Sequence, residues 1–222
     1  ADPPSFFNTL NVVSSGSANE IAQSWRHGEW VIEQTGRDRY PLGTYEAGPG
    51  YAHPKIRSGR NMTRQDIENQ ELTMKSLAAG TATLDNFLLH AYYDYDIQNF
   101  FTFSRNRYRW VSHARWKDGG QAYPSWMALS MFNRHGTGDM LAVEAKQVPT
   151  VDLPKFRRRA GMDDAPLVAC YATRKGNRVT LLAVSRKFPG YPVKSDDGYT
   201  PFTVELPFDD CDSVTLYRMA GD

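Results

Sequence analysis

Several things are scarce or missing in this 222-residue chain, and each absence narrows what it can do. A dominant charge sign is missing: 26 Lys and Arg face 25 Asp and Glu. No strong field therefore points to nucleic acid or to a membrane surface. No apolar run is long enough to span a bilayer, which excludes an integral helical membrane protein. Only two cysteines occur, Cys170 and Cys211, and they fit either one bridge or two buried free thiols. The five histidines show no H-E-x-x-H or other metal spacing, so neither a metal nor another cofactor is expected. A G-x-S-x-G elbow and a P-loop are both missing, which lowers α/β-hydrolase and NTPase readings. The opening "ADPPSFF" has neither Met nor the apolar core of a signal peptide.

What the chain has in quantity is aromatic rings: 12 Tyr, 11 Phe and 5 Trp. Such side chains bury well, and they also stack on sugar rings and line polar clefts. The pattern along the chain falls into two textures. In "SANEIAQSWRHGEWVIEQTG" Ile21, Trp25 and Trp30 recur at helix-like intervals and Gly36 closes the segment. "YPLGTYEA" reads as a short strand, and the Gly- and Pro-punctuated "PGYAHPKIRSGRN" as a loop. Thr63 and Asp66 form the pattern of a capping box. The helix it starts carries Ile67, Leu72, Leu77 and Ala78, and its apolar series continues through Leu84, Phe87, Leu88 and Ala91. "IQNFFTFS" is a second strand, followed by the loop "RNRYRWVSHARWKDGGQAYP". "PSWMALSMFNRH" is a third helix, with Pro124 suited to its first turn and Gly136 to its end. Helix, strand, helix, strand, helix is the order of a parallel α/β arrangement.

The texture changes between Gly138 and Val148. "AVEAKQVPTVDL", "PLVACYATRKGNRVTLLAVSRK", "FTVELPF" and "SVTLYRMA" are short runs separated by turns, and "RKGNR" signals a hairpin. The expected organisation is residues 1–141 as an α/β unit and residues 142–222 as an antiparallel sheet or sandwich. Two parallel strands cannot close a sheet of their own, so the chain reads as a fragment.

The chemistry-bearing residues cluster at the first strand. Strict alternation puts Leu42, Thr44 and Glu46 on one face, and ligands bind at the carboxyl ends of parallel strands. Glu46 stands at that end, just before the Gly48-Pro49-Gly50 turn. By position alone, a salt bridge or a set of backbone hydrogen bonds explains this carboxylate as readily as catalysis does.

The stretch "GTYEAGPGY" resembles the nucleophile-bearing seventh strand of retaining (β/α)8-barrel glycoside hydrolases. That large clan includes β-glycosidases, β-xylosidases and arabinofuranosidases. The order that follows is also similar: a helix, a last barrel strand with a Trp-bearing loop, a closing helix, then a C-terminal β-sandwich. The resemblance implies the last units of a barrel plus a sandwich, with a glycoside or an oligo- or polysaccharide as substrate. It implies Glu46 as nucleophile and a second Glu as acid/base, about 5 Å away. In the clan the acid follows an Asn. Asn19-Glu20 has the right residues but too little chain before Glu46, and Glu20 fits a first-turn charge on its helix. The acid is therefore expected outside these residues, and a companion segment or self-association is expected to complete the barrel. The resemblance also implies Trp110 as the floor under the sugar, with His113 as a polar neighbour; Tyr51, in the loop after Glu46, is placed to line the same cleft. Packing of Trp110 and Trp116 onto the closing helix is the alternative for that loop. His53 is a weaker candidate beside Tyr51. A non-enzymatic sugar-binding module and a merely bracing β unit are the rival readings for the C-terminal part.

Overall fold

The computed structural model describes residues 21–48, 63–104, 111–153, 162–187, 201–206, 208 and 210–220, without the side chains of Ile67 and Gln70. The first described element is helix α1, residues 21–35, which Gly36 ends at φ +64°. Ile21 is buried, and Trp25 Nε1 donates to the Tyr93 carbonyl, while Trp30 faces outward. Only part of the expected stripe is thus used for packing.

Strands β1 (Gly43–Ala47) and β2 (Ile97–Phe100) pair in parallel. Helices α2 (Arg64–Met74) and α3 (Leu77–Tyr92) connect them. The capping box forms as the sequence implies: Asp66 N donates to Thr63 Oγ1 and Thr63 N donates to Asp66 Oδ2, each at 3.1 Å. The helix does not run through, however. Ser76 Oγ donates to Thr73 O at 2.7 Å and accepts from Ala79 N at 3.2 Å, so this hydroxyl ends α2 and caps α3. The change of direction buries Met74 and leaves Leu72 72% exposed, against the single apolar face expected.

Helix α4 (Pro124–His135) starts on a proline at its first turn and ends at Gly136. It packs closely on α3 at Gly80, where an added Cβ would lie 2.7–2.8 Å from Pro124 backbone and side-chain atoms. Gly80 is there because the helices approach too closely for any side chain.

Among the described residues the β segment builds two small sheets. Strands β3 (Asp139–Leu141), β6 (Val168–Lys175) and β7 (Arg178–Ser185) form an antiparallel sheet in the order β3-β6-β7. The expected hairpin is present: Lys175 pairs with Arg178 across Gly176, which takes φ +59°. Strands β4 (Thr150–Leu153) and β5 (Met162–Pro166) make a separate antiparallel pair over Leu153, Ala165 and Leu167. "FTVELPF" and "SVTLYRMA" are not strands in their described residues. Alternation made them strand-like, but a strand also needs a neighbour for its N–H and C=O groups. Val214 and Leu216 stand out in solvent, while Tyr217 stacks on His135 at 3.7 Å and Met219 touches the main core. The two cysteines are free, Cys170 partly buried and Cys211 exposed.

One core crosses the change of texture. Leu84, Phe87 and Leu88 of α3, Ala128 and Leu129 of α4, Tyr171 of β6 and Val184 of β7 form a single buried cluster. Inside it Asp85, 1% exposed, accepts from Arg186 Nε at 2.7 Å, from Arg186 Nη2 at 3.1 Å and from Tyr171 Oη at 2.8 Å. Arg186 Nη1 also donates to Pro166 O at 3.1 Å. Burial and the Asp85 charge both raise the Tyr171 pKa, so the phenol stays a donor. Among the described residues no barrel closes and no helix is long and apolar enough to cross a membrane.

Arg186→Met leaves the Asp85 carboxylate buried without its cation, and stability should fall by about 3–5 kcal/mol. Tyr171→Phe should cost only about 1 kcal/mol. Urea unfolding followed by circular dichroism measures both, and equal losses would show that the ion pair is not the dominant tie. Gly80→Ala should also lower the urea midpoint, by forcing α3 away from α4.

Candidate functional site

The carboxyl ends of β1 and β2 lie side by side, and the candidate site is built there. Before the ladder starts, Asp96 Oδ2 accepts from Leu42 N at 3.1 Å, and Asp96 also pairs with Arg39. The pairing then begins in regular register, Gly43 opposite Ile97 and Thr44 opposite Gln98. It resumes with Ala47 opposite Phe100. Tyr45 and Glu46 together therefore face the single residue Asn99, which is a β-bulge.

This bulge corrects the alternation inferred for the strand. Tyr45 and Glu46 are both exposed, Tyr45 at 87%, and Ala47 turns inward against the main core. Glu46 is thus next to the strand end, which falls at Ala47, and one extra residue sets where it points. Among the described residues no cation and no hydrogen-bond donor meets its carboxylate, so the salt bridge weighed as its bland explanation is not found there. Gly48 follows at φ +156°, and a Cβ on it would lie 2.9 Å from the Phe101 carbonyl. That close approach holds the end of β1 against the end of β2 and requires a glycine.

Beyond β2 the chain passes through a cis peptide between Phe101 and Thr102. The carbonyls of Thr102 and Phe103 accept from Ser112 N at 2.9 Å and His113 N at 3.0 Å. His113 is thereby carried to the same end as Glu46. Its ring lies between two aromatics, Phe103 at 4.5 Å and Trp126 at 5.0 Å between centroids. Ser112 Oγ lies 3.0 Å from Phe103 O and 2.9 Å from His113 Nδ1. With the hydroxyl proton given to Phe103 O, Nδ1–H donates to Ser112 and Nε2 keeps a free lone pair. Burial lowers the His113 pKa below its ordinary 6.5, so the ring is neutral at neutral pH.

A groove of about 470 Å³ lies between β2 and α4, reaching from Tyr95 and Asp96 to Phe100 on one side and lined by Trp126, Leu129 and Phe132 on the other. Trp126 joins this groove to His113. The sequence alone did not single out Phe103 or Trp126, because what distinguishes them is their contact with one imidazole. Trp116, on a single 3-10 turn (Trp116–Asp118), is 92% exposed rather than packed on α4. The remaining candidates Tyr51 and Trp110, with His53 and Glu20, lie outside the described residues. Among the described residues no cluster of three or more His, Cys, Asp or Glu is gathered as metal ligands.

Against family models, curated proteins and solved structures, the chain finds no match.

His90 behaves like His113: its burial lowers its pKa, and the bond from its Nδ1 to Asn86 O only partly offsets that. In the unfolded chain both imidazoles take up protons near pH 6.5, and in the folded chain they do so at lower pH. Stability is therefore complete above that value and should fall as pH drops through it toward the folded pKa values. Proton NMR titration of the two rings should give midpoints below 6.5. His113→Phe should remove its share of the acid sensitivity. A midpoint at or above the ordinary value for His113 would contradict the burial seen here.

Proposed function

We propose that this chain is part of a retaining glycoside hydrolase, with Glu46 as its nucleophile. The supporting observation is an exposed carboxylate carried on a bulge near the carboxyl end of two parallel strands, and the loop that follows the second strand brings Phe103 and His113 together with Trp126. Bulges are concentrated next to active sites, where they re-aim a side chain, and exposed rings next to a carboxylate suit a sugar's apolar face and hydroxyls.

In this reading the two parallel strands belong to the end of a (β/α)8 barrel, and the sheet β3-β6-β7 belongs to a C-terminal β-sandwich. The Glu46 carboxylate attacks the anomeric carbon. The bond to the leaving oxygen breaks as a second carboxylic acid, from outside these residues, gives that oxygen a proton. The glycosyl ester formed on Glu46 is then opened by water, which the second carboxylate deprotonates. His113, neutral and held through Nδ1, offers Nε2 as acceptor to a sugar hydroxyl. Trp110 and Tyr51 complete the substrate cleft, and other barrel segments cover the open face of β1 and β2.

A bracing role for the β unit is favoured by the shared core and by the Asp85–Arg186 pair, which tie β6 and β7 to α3. Sugar binding by that unit alone has no comparable support.

Glu46→Gln in the full-length enzyme should abolish turnover of aryl glycosides while leaving circular dichroism and melting temperature unchanged. Wild-type rates from this variant would sink the assignment.

A further inference from the structure

The bulge that carries Glu46 raises a physical question of its own. A two-versus-one mismatch in a short parallel pair interrupts the ladder and leaves few backbone hydrogen bonds to fix the register. Strand β1 has five residues and β2 four, so backbone pairing alone offers little to resist a slip of one strand along the other. Something local has to hold the extra residue where it is.

Two hydrogen bonds sit at that point. Asn99 N donates to Thr44 Oγ1 at 3.2 Å, and Asn99 Nδ2 donates to Thr44 O at 3.1 Å. The residue before the bulge and the single residue opposite it are thus joined twice, each time between one backbone group and one side chain. Beyond the bulge, Phe101 N donates to Ala47 O at 2.7 Å and closes the shifted register. A strand slid by one residue would place either Tyr45 or Ala47 where Glu46 now stands. Thr44 would then no longer meet the Asn99 amide, and Ala47 would leave the core against which it packs.

We infer that Thr44 and Asn99 form a register lock that positions Glu46, and that both are positioning residues for its chemistry. The catalytic half of this inference rests on the glycosidase reading; the lock itself does not. Thr44 acts through its hydroxyl, which serine also supplies and valine lacks at nearly the same shape. Asn99 acts through its amide, which alanine removes.

The lock is tested first on the 222-residue chain by NMR. In the wild type and in Thr44→Ser, the Asn99 amide should exchange slowly and the Ala47–Phe100 cross-strand contact should be seen. In Thr44→Val and Asn99→Ala, exchange of the residue-99 amide should speed by about fivefold, as expected for loss of roughly 1 kcal/mol of hydrogen bonding. Retention of slow exchange and of the Ala47–Phe100 contact in Thr44→Val overturns the lock.

The positioning role is tested in the full-length enzyme. Thr44→Val should lower kcat by about tenfold or more with KM little changed, since a displaced carboxylate harms attack rather than binding. Thr44→Ser should restore kcat, and all variants should melt within a few degrees of the wild type. An inactive Glu46→Gln together with unchanged kcat in Thr44→Val overturns the positioning role and leaves the glycosidase reading standing. A fully active Glu46→Gln, with the register still lost in Thr44→Val, ends the glycosidase reading and leaves the lock as a structural device only.

Discussion

The arrangement depends most on one buried ion pair. Asp85 stands almost fully enclosed on α3, and Arg186 stands where β7 ends, 101 residues later in the chain. Neither charge would be stable in that place without the other, since an isolated carboxylate in a low-dielectric interior loses its hydration for nothing. Tyr171 takes a further lone pair of Asp85, and Pro166 O takes a further proton of Arg186. With these bonds made, α3 cannot rotate or slide against the β6-β7 hairpin without exposing a charge. A purely apolar contact between the same surfaces would hold them together but would tolerate several relative positions.

That constraint reaches the candidate site through α3. Phe87 and Leu88 follow Asp85 on the same helix, Phe100 packs on Phe87, and Gln98 Nε2 donates to Phe87 O. Strand β2 is therefore seated on a helix whose own position is set by the ion pair. Strand β1 is seated on β2, and the bulge between Thr44 and Ala47 converts that seat into an outward Glu46. On the other side, Pro124 against Gly80 places α4, and α4 presents Trp126 to His113. The carboxylate and the imidazole come to one end of the sheet because two separate packing contacts of α3 put them there.

The site in this form suits a polyhydroxylated ring. Among the described residues it offers a carboxylate that meets no cation, a neutral imidazole nitrogen, and exposed ring faces. On the proposed reading it is also half of a site. A glycosidic bond needs a proton donor on its other side, and a two-stranded parallel sheet needs cover on both faces. In the proposed glycosidase reading, further strands of a barrel would meet both needs.

Local chemistry was legible without the structure wherever a single residue's backbone preference decided the outcome. The Thr63–Asp66 box, Pro124 at a helix start, the ends at Gly36 and Gly136, and the turn at Gly176 each depend on groups a few residues apart. A short strand over residues 43–47 was legible for the same reason, although it ends at Ala47 and not at Glu46. The hydroxyl of Ser76 was equally local, but the apolar series running past it hid the break. What tertiary structure alone decided are the matters of pairing. Whether Asp85 finds Arg186, whether Tyr45 and Glu46 share one partner, and which rings meet His113 all depend on residues brought together from distant parts of the chain. The alternating runs after residue 200 show the limit most plainly: period two makes a segment able to pair, and only a neighbouring strand makes it a strand.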